Sequence, residues 1–115
     1  MTLLLVLSSP PYNGSDAAWN ALRLAGKAVD AGMAVRLFLV NDGVDVARPP
    51  ERAQLEFDLA AMLQDLARKG AEVKLCSTCI QRCGIASADI VPEAQVAGMD
   101  DLLEWVRSSE KVISF

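Results

Sequence analysis

Thr2-Leu3-Leu4-Leu5-Val6-Leu7-Ser8 is an apolar run that does not alternate with polar residues. A strand with one wet face would alternate. An unbroken run of this length, ended by Ser9-Pro10-Pro11, reads as a strand buried on both faces, as in a parallel sheet covered by helices. The segments that follow fit that reading. Ala17 to Val29 places its apolar residues at helical spacing, with Ser15 as expected N-cap and Gly32 as stop. Val35 to Val40 is a second buried strand, ended by the turn residues Asn41-Asp42-Gly43. A loop is expected from Val44 to Pro50, then a helix over Glu51 to Lys69 carried by Leu55, Leu59, Met62, Leu63 and Leu66. Val73 and Leu75 mark a short third strand, and Ala94 to Ala97 a minimal fourth. Met99 to Ser109 is read as a helix with Leu102, Leu103 and Val106 on one face, and Lys111 to Phe115 as the last strand.

Strands that alternate with helices predict an α/β chain with about five mostly parallel strands, right-handed crossovers and helices on both faces. The strand order is left open. With 115 residues, 52% of them hydrophobic, residues 1–115 fit a single domain with a substantial core. Eleven basic residues against fifteen acidic ones leave a net charge of -4 and no basic patch, which argues against nucleic acid as a partner. The longest apolar run is too short to span a bilayer and lacks a basic segment before it, so the expected location is the cytoplasm, with no membrane partner. There is no histidine, which excludes Ser/His/Asp and Cys/His catalysis and histidine-ligated zinc.

All three cysteines lie in Cys76-Ser77-Thr78-Cys79-Ile80-Gln81-Arg82-Cys83-Gly84, directly after the third strand. In a reducing compartment such a cluster points to metal or thiol chemistry more than to a structural disulfide. Four readings stand side by side. Zinc suits the C-x2-C spacing, but no further Cys or His completes a tetrahedral set. A thioredoxin-like dithiol has the spacing, but that fold places the motif after an early strand. A persulfide-carrying thiol fits a strand end that runs into a helix, with Lys74 and Arg82 close in sequence. Small apolar cysteines can also simply fill such a junction. If the stretch is helical, the three thiols share one face. Cys76, Cys79 and Cys83 are therefore the candidate catalytic residues, and no metal site is assigned.

Here the chain resembles the DsrE/TusD-like sulfur-relay family, through SPPYNGSDAAW, LVNDGV, EFDLAAML, EVKLCSTCIQRCGI and DLLEWVRSSEKVISF, in that order along the whole chain. The resemblance implies a flavodoxin-like α/β/α sandwich and a homo-oligomer, trimeric or hexameric. It also implies sulfur donor and acceptor proteins as partners, and sulfane sulfur carried on the cysteine that aligns with Cys76. Cys79 matches the second cysteine of the family's C-x2-C variants. Where relatives often carry Arg before the Gly, this chain has Cys83, leaving Arg82 as the nearest basic substitute. A non-catalytic or redox-sensing subunit is the alternative from another class.

Tyr12, Asn13, Gly14 and Arg82 are the candidate pocket residues. Tyr12-Asn13-Gly14-Ser15 follows a strand and opens a helix, yet it lacks the dinucleotide and P-loop signatures, so no cofactor is expected. Asp42 is read as a turn former, Asp45 as solvated, and Trp19 and Trp105 as core or interface anchors.

Overall fold

The computed structural model describes residues 1–50 and 57–115. Strands β1 (Thr2–Leu7), β2 (Ala34–Leu39), β3 (Glu72–Cys76), β4 (Ala94–Ala97) and β5 (Lys111–Ser114) form one sheet in the order β4-β3-β2-β1-β5. Every neighbouring pair is parallel. Parallel neighbours cannot be joined by a tight turn, so helices carry the connections: α1 (Ala17–Asp30), α2 (Leu59–Arg68), α3 (Ser77–Arg82) and α4 (Met99–Ser108). A right-handed crossover sends α1 and α2 to one face and α4, which returns past β1, to the other. The result is the three-layer α/β sandwich expected from the sequence.

The pleat explains why β1 reads as a continuous apolar run. On one face Leu3, Leu5, Leu7, Leu37, Leu39 and Leu75 join Ala21, Leu22, Leu63 and Leu66 of α1 and α2 in one buried cluster. Burying each leucine contributes about 1.5–3 kcal/mol. The opposite face carries Phe38, with Trp105 of α4 packed edge-on to it at 6.0 Å between ring centroids. Arg36 and Lys74 rise from that same face, and both place their cations over the Trp105 ring, Lys74 Nζ at 4.5 Å.

Several boundaries differ from the sequence reading. Helix α1 starts at Ala17 with Asp16 as N-cap, while Ser15 Oγ accepts the Ala17 N–H at 3.2 Å from one position further out. The expected loop over Val44 to Pro50 is largely a 3₁₀ segment, Asn41–Ala47, because Val44, Val46 and Ala47 are apolar and pack into the core. Helix α2 begins only at Leu59, capped by the Asp58 carboxylate, which accepts the Ala61 N–H at 3.0 Å. The part of that helix expected over residues 51–56, including Leu55, lies outside the described residues. On α4 the buried residue is Trp105, with Leu102 partly covered, while Leu103 and Val106 are 55% and 42% exposed. The bulk of Trp105 turns that helix so that the expected leucine face is split.

Gly43 is fixed by proximity. A Cβ there would lie 2.1 Å from the Leu7 carbonyl oxygen, so only glycine lets the 3₁₀ segment pass the end of β1.

Candidate functional site

Strand β3 runs into α3 without a linker, since Cys76 is both its last residue and the N-cap of the helix. Cys79 is the third helical residue and Cys83 the C-cap. The helix is stopped by Gly84 in left-handed conformation, φ 70°, with Gly84 N–H donating to Gln81 O and Ile85 N–H to Ile80 O. The cysteines therefore do not form the single helical stripe expected from an unbroken helix: Cys76 has extended backbone, and Cys83 closes the helix. They are graded instead by depth. Cys76 is 3% exposed, Cys79 is partly buried and Cys83 is exposed, and all three are free thiols.

Cys79 has the most defined surroundings. Its Sγ accepts the backbone N–H of Asn41 at 3.2 Å, and Asn41 holds φ 50°, a conformation that asparagine tolerates better than most residues. Burial pushes the Cys79 thiol above its ordinary value, and the Cys76 thiol adds to the rise by hydrogen bonding and charge. The Asn41 N–H and the charge of Arg82 pull it back. Arg82, in the last turn of α3, thus acts on Cys79.

The loops at the carboxyl ends of β1, β2 and β3 meet, as the topology demands. Pro10, Asp42, Asp45, Arg48, Cys83 and Ile85 line a cleft of about 200 Å³. Asp45 is not merely solvated there: its Oδ1 is shielded from water and lies 2.6 Å from Arg48 Nη2.

Tyr12, Gly14, Ser15, Asp16, Trp19, Phe57 and Leu59 line a separate cleft of about 510 Å³. Tyr12 is in left-handed conformation, φ 57°, and its hydroxyl accepts the Leu59 N–H at 2.8 Å, tying the β1 loop to α2. Burial raises its phenol above the ordinary value, opposed by the Leu59 N–H and assisted by Asp58 and Asp45. Asn13 Oδ1 accepts the Ser15 N–H, so Asn13 and Gly14, φ 86°, build the turn before α1. Trp19 stacks obliquely on Phe57 with Arg23 above its ring. Of the pocket residues expected from the sequence, Tyr12 and Gly14 line the cleft that holds no cysteine, while Asn13 and Arg82 line neither cleft.

Among the described residues no three His, Cys, Asp or Glu side chains are grouped as a metal ion requires. Asn41 and Arg48 are the site residues that sequence reasoning passed over. Asn41 carried a signal in its tolerance of positive φ; Arg48 carried none.

Known proteins place this architecture. The chain is 34% identical over 113 residues to an uncharacterized protein of Methanopyrus kandleri, covering 98% of this chain and 93% of that one. It is 29% identical over 115 residues to the Escherichia coli protein YchN, covering 98% and 97%. The crystal structure of E. coli YchN superposes with a TM-score of 0.89 at 27% identity, over 100% of this chain and 99% of that one. A conserved protein of unknown function from Bacteroides thetaiotaomicron, 18% identical over 99% of this chain and 94% of that one, shares the fold at a TM-score of 0.76. With residues 1–115 matched throughout by the family's profile, the chain belongs to the DsrE/DsrF-like family.

Proposed function

We propose that this protein is a sulfur-relay carrier that accepts sulfane sulfur on Cys76 and passes it to another thiol. The observation that carries the reading is the gathering of every thiol of a DsrE/DsrF-like chain into one strand-to-helix junction at the carboxyl edge of a parallel sheet. The Cys76 thiolate attacks the outer sulfur of a donor persulfide R–S–SH. A new S–S bond forms on Cys76, the old one breaks, and the donor leaves as R–S⁻; an acceptor thiolate then repeats the exchange on Cys76–S–SH. Burial of Cys76 suits storage, because a persulfide held there is kept from stray thiols. Loading from outside then requires α3 to shift.

Sulfur donor and acceptor proteins are the partners under this reading, and the cytoplasm, where thiols stay reduced, is the compartment. A homo-oligomer is supported by apolar side chains left uncovered on β5 and α4: Val112, Ile113, Leu103, Val106 and Met99. Incubation with a persulfide donor followed by tryptic mapping tests the carrier. Cleavage after Lys74 and Arg82 puts Cys76 and Cys79 on Leu75–Arg82 and leaves Cys83 on the next peptide. Added sulfur on Leu75–Arg82 that disappears in Cys76→Ser is the expected result. Unchanged loading of Cys76→Ser removes the assignment.

The depth of Cys76 also favours a second reading, a non-catalytic or redox-sensing subunit. Sulfur transfer that survives replacement of all three cysteines in a reconstituted relay would establish it.

A further inference from the structure

The three thiols are not equivalent partners for one another. Cys76 is the N-cap of α3 and Cys79 its third residue, so the two lie three positions apart across the first turn of the helix. The Cys76 and Cys79 thiols are hydrogen-bonded to each other, and helix positions three apart keep their Cβ atoms about 5–6 Å apart, so a small backbone movement brings the two sulfurs to disulfide geometry. Cys83, at the far end of α3, faces a different cleft, lined by neither of the other two. Cys76 is closed to solvent, so a sulfur stored on it meets Cys79 before any thiol from outside. Cys79 in turn has the Asn41 N–H at 3.2 Å from its Sγ, a donor able to stabilise negative charge as its proton leaves.

We infer that Cys79 is the resolving thiol of this site, discharging sulfur from Cys76 as sulfide and leaving a Cys76–Cys79 disulfide. This rests on Cys76 as sulfur acceptor. The Cys79 sulfur attacks the inner sulfur of Cys76–S–SH. The Cys76–Cys79 S–S bond forms, the bond to the terminal sulfur breaks, and that sulfur takes the electron pair. It leaves as HS⁻, which collects the Cys79 proton as hydrogen sulfide. The sulfane sulfur is reduced by two electrons and the two cysteine sulfurs are oxidised by two. A small dithiol returns the site to its free form. The chain therefore holds two outcomes for one stored sulfur: an acceptor thiol that arrives when α3 opens takes it as sulfane sulfur, and Cys79 otherwise releases it as sulfide.

The test loads the full chain and Cys79→Ser with inorganic polysulfide, removes the excess, and reads released sulfide alongside the mass of Leu75–Arg82. Wild type is expected to carry the added sulfur on this peptide at first and then, as sulfide is released, to convert it to a peptide two hydrogens lighter. Cys79→Ser should hold the peptide one sulfur heavier and release at least tenfold less sulfide in the same time. Equal sulfide release from both proteins overturns the resolving role. A parallel arm with glutathione disulfide examines pairing without persulfide. Sulfur retained on both proteins, with no Cys76–Cys79 disulfide in either arm, overturns the inference and leaves the carrier standing. No sulfur on either protein, with the disulfide formed by glutathione disulfide, overturns the carrier and the discharge built on it and leaves only a redox dithiol.

Discussion

The Sγ of Cys79 accepts the backbone N–H of Asn41 at 3.2 Å, binding the helix after β3 to the turn after β2. The bond depends on the left-handed backbone of Asn41, φ 50°. Asn41→Gly adopts that conformation freely and should keep the Cys79 alkylation profile. Asn41→Val is strained there by about 1–3 kcal/mol. Its urea midpoint should fall, and the pH midpoint of Cys79 alkylation should move up as the N–H donor is lost. An unchanged midpoint in Asn41→Val would show that this N–H has no influence on the thiol.

Gly43 makes a second demand on the same segment. Gly43→Ala drives a methyl into the Leu7 carbonyl, 2.1 Å away in the native backbone, so the 3₁₀ segment has to move. The expected loss is about 2–4 kcal/mol, readable by chemical denaturation. Faster alkylation of Cys79 should accompany it, because the displaced segment is the one that carries Asn41.

Cys79 also sets a pH dependence. Its folded-state value lies above the ordinary thiol value, chiefly through burial, so the folded chain holds that proton more tightly than the unfolded chain does. The associated stability is complete below the ordinary thiol range and is lost as pH rises through the folded value. Thermal midpoints should decline on the alkaline side, and Cys79→Ser should decline less steeply over that window. Identical slopes would mean the thiol titrates alike in both states.

The uncovered apolar residues of β5 and α4 predict self-association. Ile113→Lys and Leu103→Asp change exposed positions, where a monomer loses no more than about 0.5 kcal/mol. Sedimentation velocity should show wild-type oligomers reduced to smaller species by either change. A wild-type chain that sediments as a monomer would refute the association.

The sandwich was legible because β1 is an unbroken apolar run and the segments after it alternate between strand and helix patterns, as a parallel sheet covered on both faces requires. The junction of β3 with a helix was legible from Leu75, the cysteines and Gly84. What was hidden depends on long-range contact. Val44 to Pro50 looked like a loop because of Asp45, Arg48 and the paired prolines, while the 3₁₀ structure follows from Val44, Val46 and Ala47 reaching the core. The buried face of α4 was misjudged because Leu102, Leu103 and Val106 are apolar, yet the wide indole of Trp105 wins contact with Phe38. The depth order of the cysteines, and the link from Asn41 to Cys79, join residues 38 positions apart and leave no periodic trace.

The pairing of β1 with β5 has a consequence for biogenesis. Phe115 N–H donates to Val6 O, and Ser8 offers both its N–H and its hydroxyl to Phe115 O, so the second side of β1 is satisfied by β5 and the residue after it. Until β5 has been made, β1 offers an open apolar edge to any neighbouring strand. The nascent chain is at its most vulnerable to aggregation just before synthesis of this sheet is complete, and chaperone protection should matter most in that interval.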